Sequence, residues 1–154
     1  MARISNLERE KKKSDLDAIV LTIFWEEGID ALTYARVAES YNTSRGAIQR
    51  YYPSQNDFYT SLRGKVMPLM LEKLDWSSIN NFHNSWISEL SNTEDCRFKR
   101  VIELLFHNAL KNQSSPTTIQ AVEKLIKMVT HKFDDDQIIQ RLIGESFLYF
   151  LKSK

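Results

Sequence analysis

The stretch Leu32 to Tyr52, LTYARVAESYNTSRGAIQRYY, decides the fold of this chain. Its apolar residues are spaced for two short helices, and Ser44 is a residue type suited to capping the start of the second one. Asn42 lies between them and is the non-glycine residue that best tolerates the left-handed backbone of a tight turn. The pattern predicts a helix–turn–helix, with helices over 34–41 and from 45 to about 52.

The rest of the chain is also helical in pattern. Glycine and proline are scarce, with 4 and 3 residues, and no segment alternates apolar and polar residues for long. We therefore predict an all-α fold of seven or eight helices, with an N-terminal three-helix head over residues 1–54 and a short C-terminal helical bundle over 55–154. The helices predicted outside the helix–turn–helix begin near Ser5 or Ser14 and end at Glu27, or cover about 55–74, 79–90, 97–111, 117–133 and 135–152.

Three local signals refine these boundaries. Gly28 should end the first helix in a left-handed conformation. Pro68 lies inside the fourth helical pattern, where it should cause a kink or a break. The run Asp134–Gln137 should open the last helix, with its carboxylates at the positive end of the helix dipole.

The composition excludes several classes of protein. The 154 residues are 42% hydrophobic and 27% charged, which is ordinary for a globular domain and too apolar for a disordered chain. Cys96 is the single cysteine, so no intrachain disulfide can form. No cleavable signal and no apolar run of about 20 residues are present, and we expect a cytoplasmic protein without a membrane span.

Positive charge is concentrated near the helix–turn–helix, although the net charge is only +1. Residues 1–14 and residues 31–65 each carry five basic and two acidic side chains, whereas residues 66–154 carry eleven of each. A local basic surface of this kind is typical of a DNA-binding face. The basic run Lys11–Lys13 has two open interpretations: it could lie along the DNA backbone beside the operator, or it could be a solvated helix start that aids solubility.

The second helix of the helix–turn–helix carries side chains suited to reading DNA. Arginine can bind guanine O6 and N7 together, and glutamine can bind adenine N6 and N7. Hydroxyl groups nearby could bind phosphates. The candidate DNA-binding residues are Thr33, Thr43, Ser44, Arg45, Gly46, Ala47, Gln49, Arg50, Tyr51 and Tyr52. The alternative is that this polar face is simply solvated.

The region from Asp17 to about Arg63 resembles the DNA-binding head of the TetR family of bacterial helix–turn–helix regulators. The resemblance rests on Asp17-Ala18, Phe24, Glu27-Gly28, Leu32-Thr33, Val37-Ala38, Ser44-Arg45-Gly46-Ala47-Ile48, Tyr51-Tyr52-Pro53-Ser54 and Asp57-Phe58. It implies a homodimer that binds double-stranded DNA at a palindromic operator. It also implies that Thr33 caps the second helix and contacts phosphate, and that Arg45 contacts DNA.

The resemblance also assigns roles to Gly46, as the glycine of close approach, and to Tyr51, as a backbone contact. The chain departs from the family pattern at three places. Asn42 replaces a common glycine, Gln49 stands where tyrosine is frequent, and Gln55 stands where a lysine usually contacts phosphate. The family's base preference therefore does not carry over.

The helices behind the head have two possible roles in the resemblance. The last two helices should form the dimer, and the candidate interface residues are Ile139, Ile143, Gly144, Phe147 and Phe150. An apolar pocket for a small-molecule effector would be lined by Met70, Phe82, Trp86, Phe106 and Met128. In both cases the alternative is that these side chains only fill the core of one subunit.

Enzymatic function is not expected. No Walker loop, GxSxG or HExxH motif is present, and His83, His107 and His131 lack the spacing of metal ligands. We expect no cofactor and no metal site. The sequence thus predicts a DNA-binding transcriptional regulator that represses transcription, with a protein-interaction module that has lost specific DNA binding as the alternative.

Overall fold

A computed structural model describes residues 4–111 and 115–153 of the chain. Arg3, which belongs to the basic N-terminal segment, lies outside these residues. Every regular element in the described ranges is helical, which confirms the predicted all-α class. The elements are α1 (Asn6–Glu27), a 3-10 helix (Ile29–Ala31), α2 (Tyr34–Tyr41), α3 (Arg45–Tyr51), a second 3-10 helix (Gln55–Ser61), α4 (Val66–Glu72), α5 (Ile79–Leu90), α6 (Arg97–Ala109), α7 (Pro116–Phe133) and α8 (Ile138–Lys152).

The chain folds as two compact units. The first extends to Lys65 and the second begins at Val66. The boundary predicted between residues 54 and 55 therefore falls inside the first unit, which also contains the second 3-10 helix.

Helix α1 begins at a capping box and ends at a glycine. The Ser5 hydroxyl accepts from the Glu8 N–H, and the Glu8 carboxylate accepts from the Ser5 N–H. This selects Ser5 over Ser14 as the start. Gly28 ends the helix at φ 92° and ψ 179°. The positive φ is as predicted, but the ψ value lies outside the left-handed helical region and in one that is essentially restricted to glycine.

The helix–turn–helix forms as its capping signals predict. The Thr33 hydroxyl accepts from the Arg36 N–H at 3.1 Å and caps α2. Asn42 has φ 54° and ψ 54°, which is the left-handed conformation expected of it. The turn is closed by the N–H of Thr43, which donates to the carbonyl of Ala38 at 2.9 Å.

Apolar side chains from α1, α2, α3 and the second 3-10 helix form the core of the first unit. Its fully buried members include Leu16, Val20, Phe24, Val37, Ile48, Tyr52 and Phe58. Leu32, in the connector before α2, is buried as well. Helix α3 therefore packs on α1 and α2 through one face only.

The fourth helix, predicted over about 55–74 with a kink or break at Pro68, is interrupted at a different place. The chain forms a seven-residue 3-10 helix and then the separate helix α4, with Gly64 between them at φ 73°. The interruption therefore lies at Gly64 instead of Pro68. Pro68 lies in the first turn of α4, where a missing N–H costs no helical hydrogen bond.

The core of the second unit is rich in aromatic rings. Phe82 and Trp86 of α5 are fully buried, and their neighbours include Trp76, Phe98 and Phe133 at centroid distances of 4.8–5.4 Å. Helix α6 buries several apolar residues, but Leu110 is 86% exposed and Ala109 is also exposed. The helix predicted over about 97–111 therefore ends slightly earlier, and its last apolar residues lie at the surface.

The last helix begins later than predicted. Asp134 adopts a left-handed conformation, with φ 53°, and ends α7. Asp135 accepts from the N–H of Gln137, and α8 starts only at Ile138 with no carboxylate in its first turn. The acidic run is therefore a connector between two helices.

Candidate nucleic-acid interface

Helix α3 presents one polar face to solvent. Arg45, Gly46, Gln49 and Arg50 are exposed, whereas Ile48 on the other side is 1% exposed and belongs to the core. Positions i, i+1, i+4 and i+5 share one side of a helix, so the exposed residues form a continuous surface. The Ser44 hydroxyl accepts from the Ala47 N–H at 3.2 Å and fixes the start of this helix.

The long polar side chains on this face are free of internal partners. Among residues 4–111 and 115–153, no hydrogen bond or ion pair engages the side chains of Arg45, Gln49 and Arg50. Arg36 on α2 differs, because its guanidinium binds the carboxylate of Glu27, with Nε 3.0 Å from both oxygens. This pairing lowers the pKa of Glu27 and raises that of Arg36. The positive charge of Arg36 is therefore largely offset by Glu27 and adds little to the basic surface of the head.

Gly46 has no internal reason to be glycine. A Cβ atom at this position would meet no other atom within 4 Å, and its φ is not positive. The space beside it is open to solvent. Because glycine has no side chain, an external molecule can approach the backbone of α3 closely at this position.

Four further candidates lie at the start of α2 and at the two ends of α3. Thr43 and Ser44 are exposed, while Thr33 and Tyr51 are partly buried. The hydroxyl oxygens of Thr33 and Ser44 already accept the capping hydrogen bonds of α2 and α3. Each hydroxyl proton is still available for an external acceptor.

Tyr52 is not part of the exposed face of α3, which corrects its assignment from the sequence as a DNA-contacting side chain. Its side chain is 0% exposed, and its hydroxyl donates to Oδ1 of Asp17 at 2.6 Å. Burial and the hydrogen bond to Asp17 raise the pKa of this tyrosine. Tyr52 faces inward because it lies four residues after Ile48, on the same buried side of the helix.

A cluster around Asp17 was missed by sequence reasoning. Oδ1 of Asp17 accepts from Lys13 Nζ at 2.5 Å, from the Tyr52 hydroxyl at 2.6 Å and from the Ser61 hydroxyl at 2.7 Å. The i, i+4 spacing of Lys13 and Asp17 is a readable signal. The other two partners are 35 and 44 residues away, and no local pattern reveals them.

Only one lysine of the basic run Lys11–Lys13 belongs to the cluster around Asp17. Lys13 binds Asp17, and its ammonium nitrogen lies 4.2 Å from the centre of the Tyr52 ring. Lys11 and Lys12 are exposed to solvent. Only these two residues of the run remain candidates for contact with a DNA backbone.

Arg9 links α1 to the end of α3. Its guanidinium donates to the carbonyl of Arg50 at 3.4 Å and lies 5.7 Å from the centre of the Tyr51 ring. An open groove of about 500 Å3 lies beside this contact. Its lining residues are Arg9, Glu10, Lys13, Ser14, Asp17, Ala18, Tyr51 and Lys65.

Gln55 has an internal role in place of the phosphate contact of the family's lysine. Its side-chain amide donates to the carbonyl of Leu32 at 2.9 Å. This bond ties the second 3-10 helix to the connector before α2. The side chain is therefore a structural tie within the head.

The five candidate dimer residues occupy different environments. Gly144 is exposed, Phe147 is 55% exposed, Ile143 and Phe150 are partly buried, and Ile139 is 4% exposed. Ile139 therefore belongs to the core of the second unit. The exposed stripe on α8 also contains two residues that the sequence did not single out, Leu148 (48% exposed) and Leu151 (65% exposed).

The five candidate pocket residues have different environments. Met70, Phe82 and Trp86 are at most 1% exposed, and the rings of Phe82 and Trp86 belong to the aromatic core. Phe106 instead contacts Phe147 and Phe150 of α8. Met128 is 38% exposed.

Comparison with known proteins identifies the family of this chain. Residues 63–150 match the family model described as the C-terminal domain of the tetracycline repressor LuxT, and this match covers more than half of the chain. The chain belongs to the TetR family. TetR-like proteins are transcriptional regulators and are generally not enzymes. No curated protein matches the sequence.

The family match and the head residues are independent evidence. The match lies almost entirely in the second unit, whereas the helix–turn–helix resemblance covers about 17–63. Both indicate a TetR-like regulator. Within the described residues, no helix could cross a membrane, and no cluster of three or more histidine, cysteine or acidic side chains could hold a metal ion.

Proposed function

We propose that this TetR-family protein is a sequence-specific DNA-binding repressor that occupies a palindromic operator as a homodimer. The observation that carries the proposal is the exposed face of α3, where Arg45, Gln49 and Arg50 have no partner among the described residues. Each of these side chains can make hydrogen bonds to base edges in the major groove.

The packing of α3 supports this role. Ile48 and the buried Tyr52 hold one side of the helix on the protein, so the opposite side is free to enter a groove about 12 Å wide. The open space at Gly46 allows the start of the helix to approach DNA closely. Arg9, Lys11 and Lys12 add positive charge at the nearby start of α1.

The α8 stripe formed by Gly144, Phe147, Leu148 and Leu151 supports the homodimer. These residues follow the spacing i, i+3, i+4 and i+7, which is one face of a helix, and all four are exposed in the single chain. A Cβ at Gly144 would meet nothing within 4 Å, so its surface is open to another helix. In a dimer, the two reading helices would lie about 34–36 Å apart, one turn of DNA.

Selection of bound fragments from random double-stranded DNA tests the proposal. We expect the chain to enrich a two-fold symmetric sequence. Replacing Gln49 by alanine should weaken binding to that sequence by about 1–3 kcal/mol while leaving binding to random DNA nearly unchanged. The matched control is Gln120→Ala, which removes an exposed glutamine from α7 and should leave both affinities unchanged.

Two outcomes would count against sequence-specific recognition. Equal losses on selected and random DNA would make Gln49 a bystander. Failure to enrich any sequence would favour the protein-interaction alternative, in which the head no longer reads DNA.

A further inference from the structure

The reading helix α3 has a small hydrophobic anchor. It contains seven residues, and Ile48 is its one fully buried side chain. A helix of this length is not stable by itself in water. The orientation of α3 relative to α1 therefore depends strongly on the hydrogen bonds and packing contacts that hold its two ends.

The two ends are fastened differently. At the N-terminal end, one neutral hydrogen bond from the Ala47 N–H to the Ser44 hydroxyl caps the helix. At the C-terminal end, Tyr52 is held at two points, because its hydroxyl donates to Asp17 and its carbonyl accepts from the Tyr34 hydroxyl at 2.6 Å. The Tyr52 ring also packs against Phe58, with a centroid distance of 4.8 Å.

Asp17 is the common acceptor at this fastened end. One oxygen, Oδ1, accepts from Lys13 of α1, from Tyr52 after α3 and from Ser61 of the second 3-10 helix. Three segments of the first unit thus meet at a single atom. A carboxylate oxygen suits this position because its negative charge strengthens each of the three hydrogen bonds.

We propose that Asp17 is a positioning residue for DNA recognition, which fixes the C-terminal end of α3 through Tyr52 and so sets the direction of Gln49 and Arg50. This inference rests on the proposed function. Gln49 and Arg50 lie three and two residues before Tyr52, so the anchor acts close to them. Base contacts depend on placement within about 0.5 Å, so a small rotation of α3 would disturb them.

The protonation states of Asp17 and Tyr52 preserve the hydrogen bond between them at neutral pH. Partial burial opposes ionisation of Asp17, but the hydrogen bonds from Lys13, Tyr52 and Ser61 outweigh it and leave the pKa of this carboxyl below its usual value. Burial and the bond to Asp17 raise the pKa of Tyr52. The carboxylate thus remains an acceptor, and the phenol a donor, throughout the neutral range.

Two variants and a matched control test the proposal. Asp17→Asn keeps the shape of the side chain and removes its charge, and Tyr52→Phe keeps the ring and removes the donor. Asp15→Asn makes the same chemical change on α1 at an exposed carboxylate with no partner among the described residues. The probes are a duplex enriched by the wild-type chain from random DNA and a scrambled duplex of equal length.

The readout is the specificity ratio, which is the dissociation constant for the scrambled duplex divided by the dissociation constant for the enriched duplex. A loss of folded protein alone would lower apparent binding to both duplexes equally and leave the ratio unchanged. We expect Asp17→Asn and Tyr52→Phe to reduce the ratio by about tenfold, the size of one lost base contact, while Asp15→Asn keeps it. Gln49→Ala should then weaken binding to the enriched duplex less in the Asp17→Asn background than in the wild type.

The proposal is overturned if both variants keep the wild-type ratio within twofold. If Asp17→Asn does not fold, Tyr52→Phe decides the question alone. A wild-type chain that enriches no sequence, or binds both duplexes equally, would overturn the proposed function together with this inference. Loss of the ratio in the variants alone would support both.

Discussion

The buried hydrogen bond between Trp86 of α5 and Ser146 of α8 permits a sharp test of what stabilises the second unit. The indole N–H donates to the Ser146 hydroxyl at 2.9 Å, and that hydroxyl donates to the carbonyl of Leu142 at 2.7 Å. Both side chains are 0% exposed. Replacing Ser146 by alanine would leave the indole N–H buried without an acceptor from this residue.

The expected cost follows from this burial. An unsatisfied buried donor costs about 1–3 kcal/mol, and alanine regains a few tenths of a kcal/mol as a better helix former than serine. We therefore expect Ser146→Ala to lower the free energy of unfolding by about 1–2 kcal/mol. With a typical urea dependence, the midpoint of unfolding should fall by about 0.5–1 M.

A double-mutant cycle separates the hydrogen bond from other effects of the substitution. Trp86→Phe removes the donor, while the Ser146 hydroxyl keeps its acceptor on Leu142. In the Trp86→Phe background, Ser146→Ala should therefore cost nearly nothing, which gives a coupling free energy of about 1–2 kcal/mol. Urea titration followed by far-ultraviolet circular dichroism measures all four proteins.

The control for this cycle is Ser88→Ala, an exposed serine on α5 whose loss should change the free energy of unfolding by less than about 0.5 kcal/mol. The hydrogen bond contributes nothing measurable if Ser146→Ala lowers the free energy of unfolding equally in the wild type and in the Trp86→Phe background, and this result would refute the prediction. It is equally refuted if Ser146→Ala is no more destabilising than Ser88→Ala.

Three further predictions concern the head and the α8 stripe. Asp17→Asn should reduce stability at pH 7 by about 1–2 kcal/mol. Because folding lowers the pKa of this carboxyl below 3.8, its contribution is present above that value and is lost as the pH falls through the folded-state pKa. The difference in the free energy of unfolding between the wild type and the variant should therefore shrink as the pH falls below 3.8 in urea titrations, and a constant difference would contradict the assignment. Asn42→Ala should cost about 1 kcal/mol in thermal unfolding, whereas Asn42→Gly should not, since Asn42 has φ 54°. Phe147→Glu should shift the chain from dimer to monomer in light scattering, while Gln120→Glu should not; equal masses would remove the α8 stripe as the interface.

Much of the head was predictable because its signals are local. The caps at Ser5, Thr33 and Ser44 and the left-handed turn at Asn42 depend on side chains that bond to backbone groups within three residues, or on one residue's own backbone preference. Such signals can be read from the order of residues alone. The exposed polar face of α3 follows in the same way from helical spacing.

The errors arose where several distant segments compete for the same space. The apolar pattern from Phe58 to Leu74 predicts a helix that is kinked or broken at Pro68, yet the interruption lies at Gly64, between a 3-10 helix and α4. Tyr52 has the polar tip of a phosphate-binding residue, but its ring fills the core and its hydroxyl meets Asp17. Phe106 contacts Phe147 and Phe150 of α8, and no local pattern reveals this pairing.

The order of residues is enough to predict the all-helical class, the helix–turn–helix and the residues on its outer face, because helix periodicity and capping act over a few residues. The folded chain was needed to show that Tyr52 turns inward, that Asp17 joins three segments, and that Phe147 and its neighbours remain uncovered in one chain. These outcomes depend on contacts between residues tens of positions apart. Which distant side chains meet is settled by close packing of the whole core and by the need of each buried polar group for a partner.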